Sequence, residues 1–324
     1  DADASGGPLL TFYRNSASPA DRDATGKINF HGENSAGEDT TYAQIFTSIL
    51  DVTDGTEDGR FKIGTLLAGS FDSRLDMTNT ETVFNEDSKD LDFRVESNGN
   101  ANMLFVDGGN DRVGVGTNTP VTLLHLQGSE PDIFLRRTDL TNKAWRFNVQ
   151  SSTGDLNIKS RNDDGSASTT SMIIAHDGYV TKPNQPAFLV RTGTGGNATN
   201  VPINGTTIVD FGTEVFDRGA DFSTNTFTAP VTGLYQINFS GVFSQMDTAS
   251  TYVELIIQCS NRNFNWTIDP DVFDQDAVYF PVNISCLADM DASDVAKIGI
   301  SLPNDGTAQM DLVNYAYFSG YLVA

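Results

Sequence analysis

Residues 222–239 read FSTNTFTAPVTGLYQINF. Pro230 and Gly233 break the chain between two apolar runs. Beyond them, Tyr235, Ile237, Phe239, Gly241 and Phe243 fall on one side of an alternating segment. An apolar residue at every second position marks a strand with one face in a core. The same period recurs downstream. Val253, Leu255, Ile257 and Cys259 form one apolar face, and Val278, Phe280, Val282, Ile284 and Cys286 form another. Upstream, Leu91, Phe93 and Val95 alternate with Asp92 and Arg94, and Leu156 and Ile158 repeat the pattern. Asp54-Gly55, Asp58-Gly59, Asn98-Gly99, Asp107-Gly108, Asp164-Gly165 and Asp177-Gly178 punctuate these runs as hairpin-type turns. Helical spacing is nearly absent, and only residues 40–50 leave helix and strand both open. The expected class is all-β.

Composition bounds the function. The 324 residues hold 43 Asp+Glu against 20 Lys+Arg, a net charge of −23. That balance argues against nucleic-acid binding, which needs a basic face to neutralise phosphates. It equally argues against a polybasic membrane contact. No stretch approaches the ~20 consecutive apolar residues of a membrane span, so no membrane insertion is expected. The opening DADASGG lacks the basic start and apolar core of a secretion signal, and reads as the cut end of a longer or processed chain. Gly, Ser, Thr, Asn and Asp fill the share left by a low apolar and charged content, which fits many short strands and many turns. Two cysteines supply neither a disulfide framework nor a Cys-based zinc site.

Two segments share one order. Residues 90–108 and 155–178 each read as strand, polar turn, strand, Asp-Gly turn, strand. So thin a unit has one apolar face and little of its own chain to cover it. It must stack on neighbours or on copies of itself. Pro183 and Pro186 then suggest an extended linker. After it, residues 186–324 hold both cysteines and most tyrosines, and are long enough for a separate core.

Four motifs in order give this last part a resemblance. They are Pro186-Ala187-Phe188, the 222–239 stretch, Asp294-Val295-Ala296-Lys297-Ile298, and Phe318-Ser319-Gly320-Tyr321-Leu322. Residues 186–324 thereby resemble the globular head of complement subcomponent q, in the tumour-necrosis-factor-like superfamily. The resemblance implies a jelly-roll β-sandwich that packs as a tight homotrimer and binds partners without catalysis. The loops depart from the family pattern, notably 261–276, so the family's ligands do not carry over. Upstream, Val113-Gly114-Val115-Gly116-Thr117-Asn118-Thr119-Pro120 with Leu124-His125-Leu126 is similar to an element of phage tail fibres. Gly26-Lys27-Ile28-Asn29-Phe30 with Tyr42-Ala43-Gln44-Ile45 and the acidic turn at 53–59 is similar to another.

The resemblance implies an elongated, trimeric, β-rich fibre shaft with a jelly-roll head. Its units would be a shaft unit at 1–87, a hairpin repeat at 88–128, a second repeat and linker at 129–185, and a receptor-binding head at 186–324. The implied role is adhesion, as a virion attachment protein outside the host cell. Expected partners are two further copies, a host surface glycan or protein receptor, and other tail proteins. Three alternatives stand beside it: a structural capsid fibre, a bacterial surface adhesin, and a fibre that cleaves glycans. No nucleophile elbow, P-loop, dinucleotide fingerprint or HExxH motif occurs, so no enzyme is expected.

Particular side chains carry further expectations. Trp266, Phe273, Tyr279 and Tyr252 are receptor-binding candidates, because exposed aromatics stack on sugars and anchor interfaces. Trp266 and Phe273, expected in loop, are the better placed. Asp269, Asp271, Asp274 and Asp276 form the densest acid cluster of the head. Carboxylates suit Ca²⁺, though the spacing is no EF-hand and a solvated acidic loop is the simpler account. Asp51, Asp54, Glu57 and Asp58 are a second cluster. His31, His125 and His176 share no motif and read as structural. Cys259 and Cys286 lie on apolar strand faces. A disulfide is open to them if their strands are neighbours, and two buried thiols follow if assembly occurs in a reducing cytosol.

Overall fold

Alternation in the sequence becomes strand almost everywhere it occurs. The computed structural model describes residues 8–193, 201–202, 205–303 and 310–324, and their strands form five sheets. Close packing divides the chain into two compact units, Asp1–Asp132 and Ile133–Ala324.

The first unit holds two sheets. β1 (Ala24–Glu33), β2 (Asp39–Asp51), β3 (Asp58–Leu67), β4 (Ser70–Met77) and β5 (Thr82–Phe84) pair antiparallel in chain order. The ambiguous 40–50 segment is therefore strand, as β-branched Thr41, Ile45, Thr47 and Ile49 favour. Asp76 in β4 is only 2% exposed, and Arg60 Nε in β3 donates to it at 2.7 Å. β6 (Phe93–Val95), β7 (Leu104–Asp107) and β8 (Arg112–Val115) form an antiparallel meander, and β9 (Leu124–Leu126) returns parallel to β8.

In the second unit, β10 (Asp132–Leu135), β11 (Ala144–Val149), β12 (Leu156–Arg161), β13 (Ser168–Ile174) and β14 (Val180–Thr181) make a sheet in chain order. Its burial is not what the alternation suggests. Asn148 and Asn157 face inward and are buried, while Leu156 stays exposed on the opposite face. The expected extended linker is instead a tight turn, in which Gln185 N donates to Lys182 O at 3.1 Å. Asn184 Nδ2 donates to Thr170 O at 2.7 Å, and Gln185 Nε2 to Leu322 O at 2.6 Å. Two side-chain amides thus tie the turn to strands on either side, which Pro183 and Pro186 alone would leave extended.

The rest is a two-sheet sandwich. Its strands are β15 (Ala187–Arg191), β16 (Gly205–Ile208), β17 (Thr213–Arg218), β18 (Phe222–Ser223), β19 (Thr226–Thr228), β20 (Gly233–Met246), β21 (Val253–Cys259), β22 (Asn263–Ile268), β23 (Ala277–Met290), β24 (Val295–Leu302), β25 (Asp311–Leu312) and β26 (Tyr317–Leu322). One sheet runs β17-β15-β26-β20-β23, with β25 also on β20; the other runs β18-β19-β24-β21-β22, with β16 also on β24. From β19 onward the chain crosses between sheets at β20, β21, β23, β24 and β25, and the last strand, β26, pairs with β15. That exchange is a jelly roll.

The motif at 222–239 explains its centre. Tyr235, Ile237, Phe239 and Phe243 are fully or nearly fully buried, as are Val253, Leu255 and Ile257 facing them. Phe188 stacks on Phe227 across the sandwich at 4.7 Å and meets Phe318 edge-on at 4.9 Å. Tyr235 buries its ring yet satisfies its hydroxyl, donating to Val231 O at 2.8 Å across the Pro-to-Gly break. Gly320 leaves room for Phe188 and Ile237, whose atoms a Cβ there would meet at 2.8 Å. Val278, expected on the inward face, is 63% exposed. Gln245 at φ 53° interrupts the ladder opposite it, between the Ser244–Tyr279 and Met246–Ala277 pairs.

Candidate binding surface

Strand pairing fixes which side chains share the open face of the β15–β26–β20 sheet. Three rows cross it: Ala187, Tyr321, Gln236 and Leu287; Leu189, Ser319, Asn238 and Ser285; Arg191, Tyr317, Ser240 and Asn283. At one end Ser244 sits beside Tyr279, and at the other edge Phe216 pairs with Leu189. Tyr317 is 43% exposed, Tyr321 50%, Leu287 51% and Tyr279 69%. Between them lies a small polar network. Gln236 Nε2 donates to Ser285 Oγ at 2.7 Å, and Ser285 Oγ donates to Asn238 Oδ1 at 2.8 Å.

The opposite sheet is dressed differently. Its outward positions include Lys297, Ser301, Glu254, Gln258, Asn263, Asn265 and Thr267. Glu254 Oε1 accepts from Asn265 Nδ2 and Thr267 Oγ1, each at 3.3 Å. That face is therefore mostly polar, with Ile256 buried among its polar neighbours and Ile208 part-exposed beside Gly299, whereas the other presents tyrosine and leucine to water. The motif at 318–322 carries the signal for this. Phe318 and Gly320 point into the core while Tyr317 and Tyr321 alternate outward, so the strand wants cover on both sides.

The four aromatic candidates do not gather. Trp266 and Phe273 were expected exposed in loop. Trp266 instead lies in β22, half-buried against the core, 6.2 Å from the Phe280 ring. Phe273 follows a short 3-10 turn at Pro270–Val272 and packs at 5.6 Å on the same ring. The reason is period 2: Phe264, Trp266 and Ile268 share the inward face of β22. Tyr252 is half-buried beside β21, and only Tyr279 stands well out.

The acid cluster is likewise split. Asp269 Oδ1 caps the 3-10 turn by accepting from Asp271 N at 3.0 Å. Asp276 Oδ1 accepts from Thr248 N at 3.0 Å and Thr248 Oγ1 at 3.1 Å. Asp271 and Asp274 are exposed. Among the described residues no three His, Cys, Asp or Glu side chains gather as a metal site. In the second cluster, Asp51 accepts from Thr53 N at 2.8 Å, and those hydrogen bonds hold its carboxyl below the ordinary range. Glu57 accepts from Gly55 N and Asp58 from Asn79 Nδ2, so these acids shape turns. His31 Nδ1 lies 2.7 Å from Asp39, and His176 N donates to Asp155. His125 sits in β9.

Cys259 and Cys286 are free thiols in opposite sheets, on strands that do not pair. Burial pushes Cys259 up to about 11 and Cys286 up to about 12. Asn238, Asn265 and Asn283, each in an Asn-x-Ser/Thr triplet, lie on β20, β22 and β23, whereas Asn197 and Asn204 lie outside the described residues.

No protein-family model and no curated protein matches the chain. Among solved structures it is similar to the globular domain of zebrafish complement 1qA protein, at 22% identity and a TM-score of 0.34, over 43% of this chain and 98% of that one. It is also similar to murine APRIL in structures at pH 8.0 and pH 8.5, at 12% and 10% identity and TM-scores of 0.30 and 0.31, each over 43% of this chain and 99% of the other.

Proposed function

We propose that the chain is a homotrimeric attachment protein, the fibre of a tailed bacteriophage, whose jelly-roll head adheres to a receptor on the host surface. The observation that carries this reading is the unequal dressing of the two head sheets. A face bearing Tyr317, Tyr321 and Leu287 gains by leaving water, and a second copy of the same face is the partner always present. The threefold count follows the resemblance of residues 186–324. Three heads then offer three identical sites, and weak contacts with a surface glycan or protein gain through avidity. The mechanism is adhesion, and the protein works on the virion, outside the host cell, joined to other tail proteins.

Sedimentation equilibrium tests the assembly, with three times the chain mass expected. Tyr321→Arg places a charge on the covered face and should give single chains with the β-sheet circular dichroism intact. A wild-type protein that sediments as one chain overturns the trimer. Immunogold labelling of the particle with antibody to residues 186–324 tests the attachment. Label at fibre tips on the tail is expected, and label on the capsid overturns the tail-fibre assignment.

A further inference from the structure

The sheet formed by β10 to β14 is dressed inside out. Register places Phe147, Ile158 and Met172 side by side on one face, with Val149 and Leu156 in the next row and Trp145 at its edge. Trp145, Phe147, Val149 and Leu156 remain 36–43% exposed. The opposite face buries Ala144, Asn148 and Asn157 and half-buries Lys159, Arg161 and Ile173. An antiparallel sheet with one wet side normally turns its polar face to water. Here the apolar face is the wet one.

We propose that this face is a second self-association surface, covered by the same face of the two other copies. The inference rests on the homotrimer proposed above and deepens it by naming a contact outside the head. Three arguments identify the occupant. Those six side chains include no ionisable group, on a chain of net charge −23. The contact therefore places no like charges against one another, and a basic partner gains no ion pair here. Second, the sheet and the head belong to one compact unit, tied by the Asn184 and Gln185 amides. An axis through three heads brings three copies of this sheet along. Third, six side chains fall well short of the roughly 20–30 residues a side that a stable interface uses, so the patch serves as an addition to a head contact.

Hydroxyl-radical footprinting read by mass spectrometry tests this on the wild-type chain. The assembled protein is compared with the single chain made by Tyr321→Arg, and sedimentation reports the state of each. Trp145 and Met172 should oxidise at least fivefold more slowly in the assembly, while Trp266, packed inside the head in both, should not change. Phe147→Lys should also weaken assembly tenfold or more, and the footprint does not depend on that variant folding. Equal oxidation of Trp145 in trimer and single chain overturns this inference and leaves the trimer standing. A wild-type protein that sediments as one chain or a pair overturns both.

Discussion

Cys259 and Cys286 show how burial rather than bonding sets a side chain's chemistry. Both thiols are buried or half-buried in the sandwich, and desolvation disfavours the thiolate, raising each from an ordinary 9.0 to about 11 and about 12. The folded head therefore keeps two protons that the unfolded chain has released. Their contribution to stability is complete below pH 9 and is lost as pH rises from 9 through 11 to 12. Denaturant midpoints should hold steady from pH 7 to 8.5, then fall, and Cys259→Ala with Cys286→Ala should flatten that fall. At pH 8 Cys259 is thiolate in about one molecule per thousand, so a thiol-titrating disulfide reagent should find two groups only after unfolding. Immediate reaction of both in the native protein would contradict the burial. Trp266 teaches the complementary lesson. Its neighbours in sequence are Asn265 and Thr267, which read as loop, yet a polar-apolar alternation that short is also a half-buried edge strand.

At the scale of elements, Val113-Gly114-Val115-Gly116 gives the clearest case of sequence dictating backbone. Gly116 has φ 83°, a left-handed conformation that other residues rarely adopt. A Cβ there would run into the Gln127 carbonyl, beside which Gln127 N donates to Val115 O at 2.9 Å. The chain can turn and bring β9 back parallel to β8 only because both obstacles are absent. Gly116→Ala should cost on the order of 2–3 kcal/mol. Native-state hydrogen exchange should then accelerate over residues 104–115 and leave β20 protected. Unchanged exchange in β7 and β8 would refute the role given to Gly116. Other elements were less legible. Leu156 and Ile158 announce a strand, but their spacing says nothing of which side is covered, and the covered side carries Asn157. The open face of β26 had its signal in alternating Tyr317, Phe318, Gly320 and Tyr321, whereas the partners of that face, Gln236 and Leu287, come from strands tens of residues away.

For the whole molecule, charge and apolar surface oppose one another. A chain of −23 resists association with its copies, and the resistance is long-ranged only where salt is scarce. The Debye length falls from about 30 Å at 0.01 M to about 3 Å at 1 M. Assembly should therefore tighten as sodium chloride rises over that range, measured by sedimentation at several protein concentrations. Weakening with salt would mean that ion pairs, not apolar contact, hold the copies together.

Period 2, the turn dipeptides and the Pro230–Gly233 break determined by themselves that this is an all-β chain, where its turns fall, and which sides of β20 and β21 face a core. Those are local properties, written in the order of residues along one strand. Only the tertiary structure decided which strands share a sheet, so that Cys259 and Cys286 lie in opposite layers, that Val278 escapes the core where the ladder is interrupted at Gln245, and that Trp266 turns inward. Pairing partners, bulges and sheet-on-sheet packing depend on residues far apart in the chain, and no window of the sequence contains both halves of such a contact.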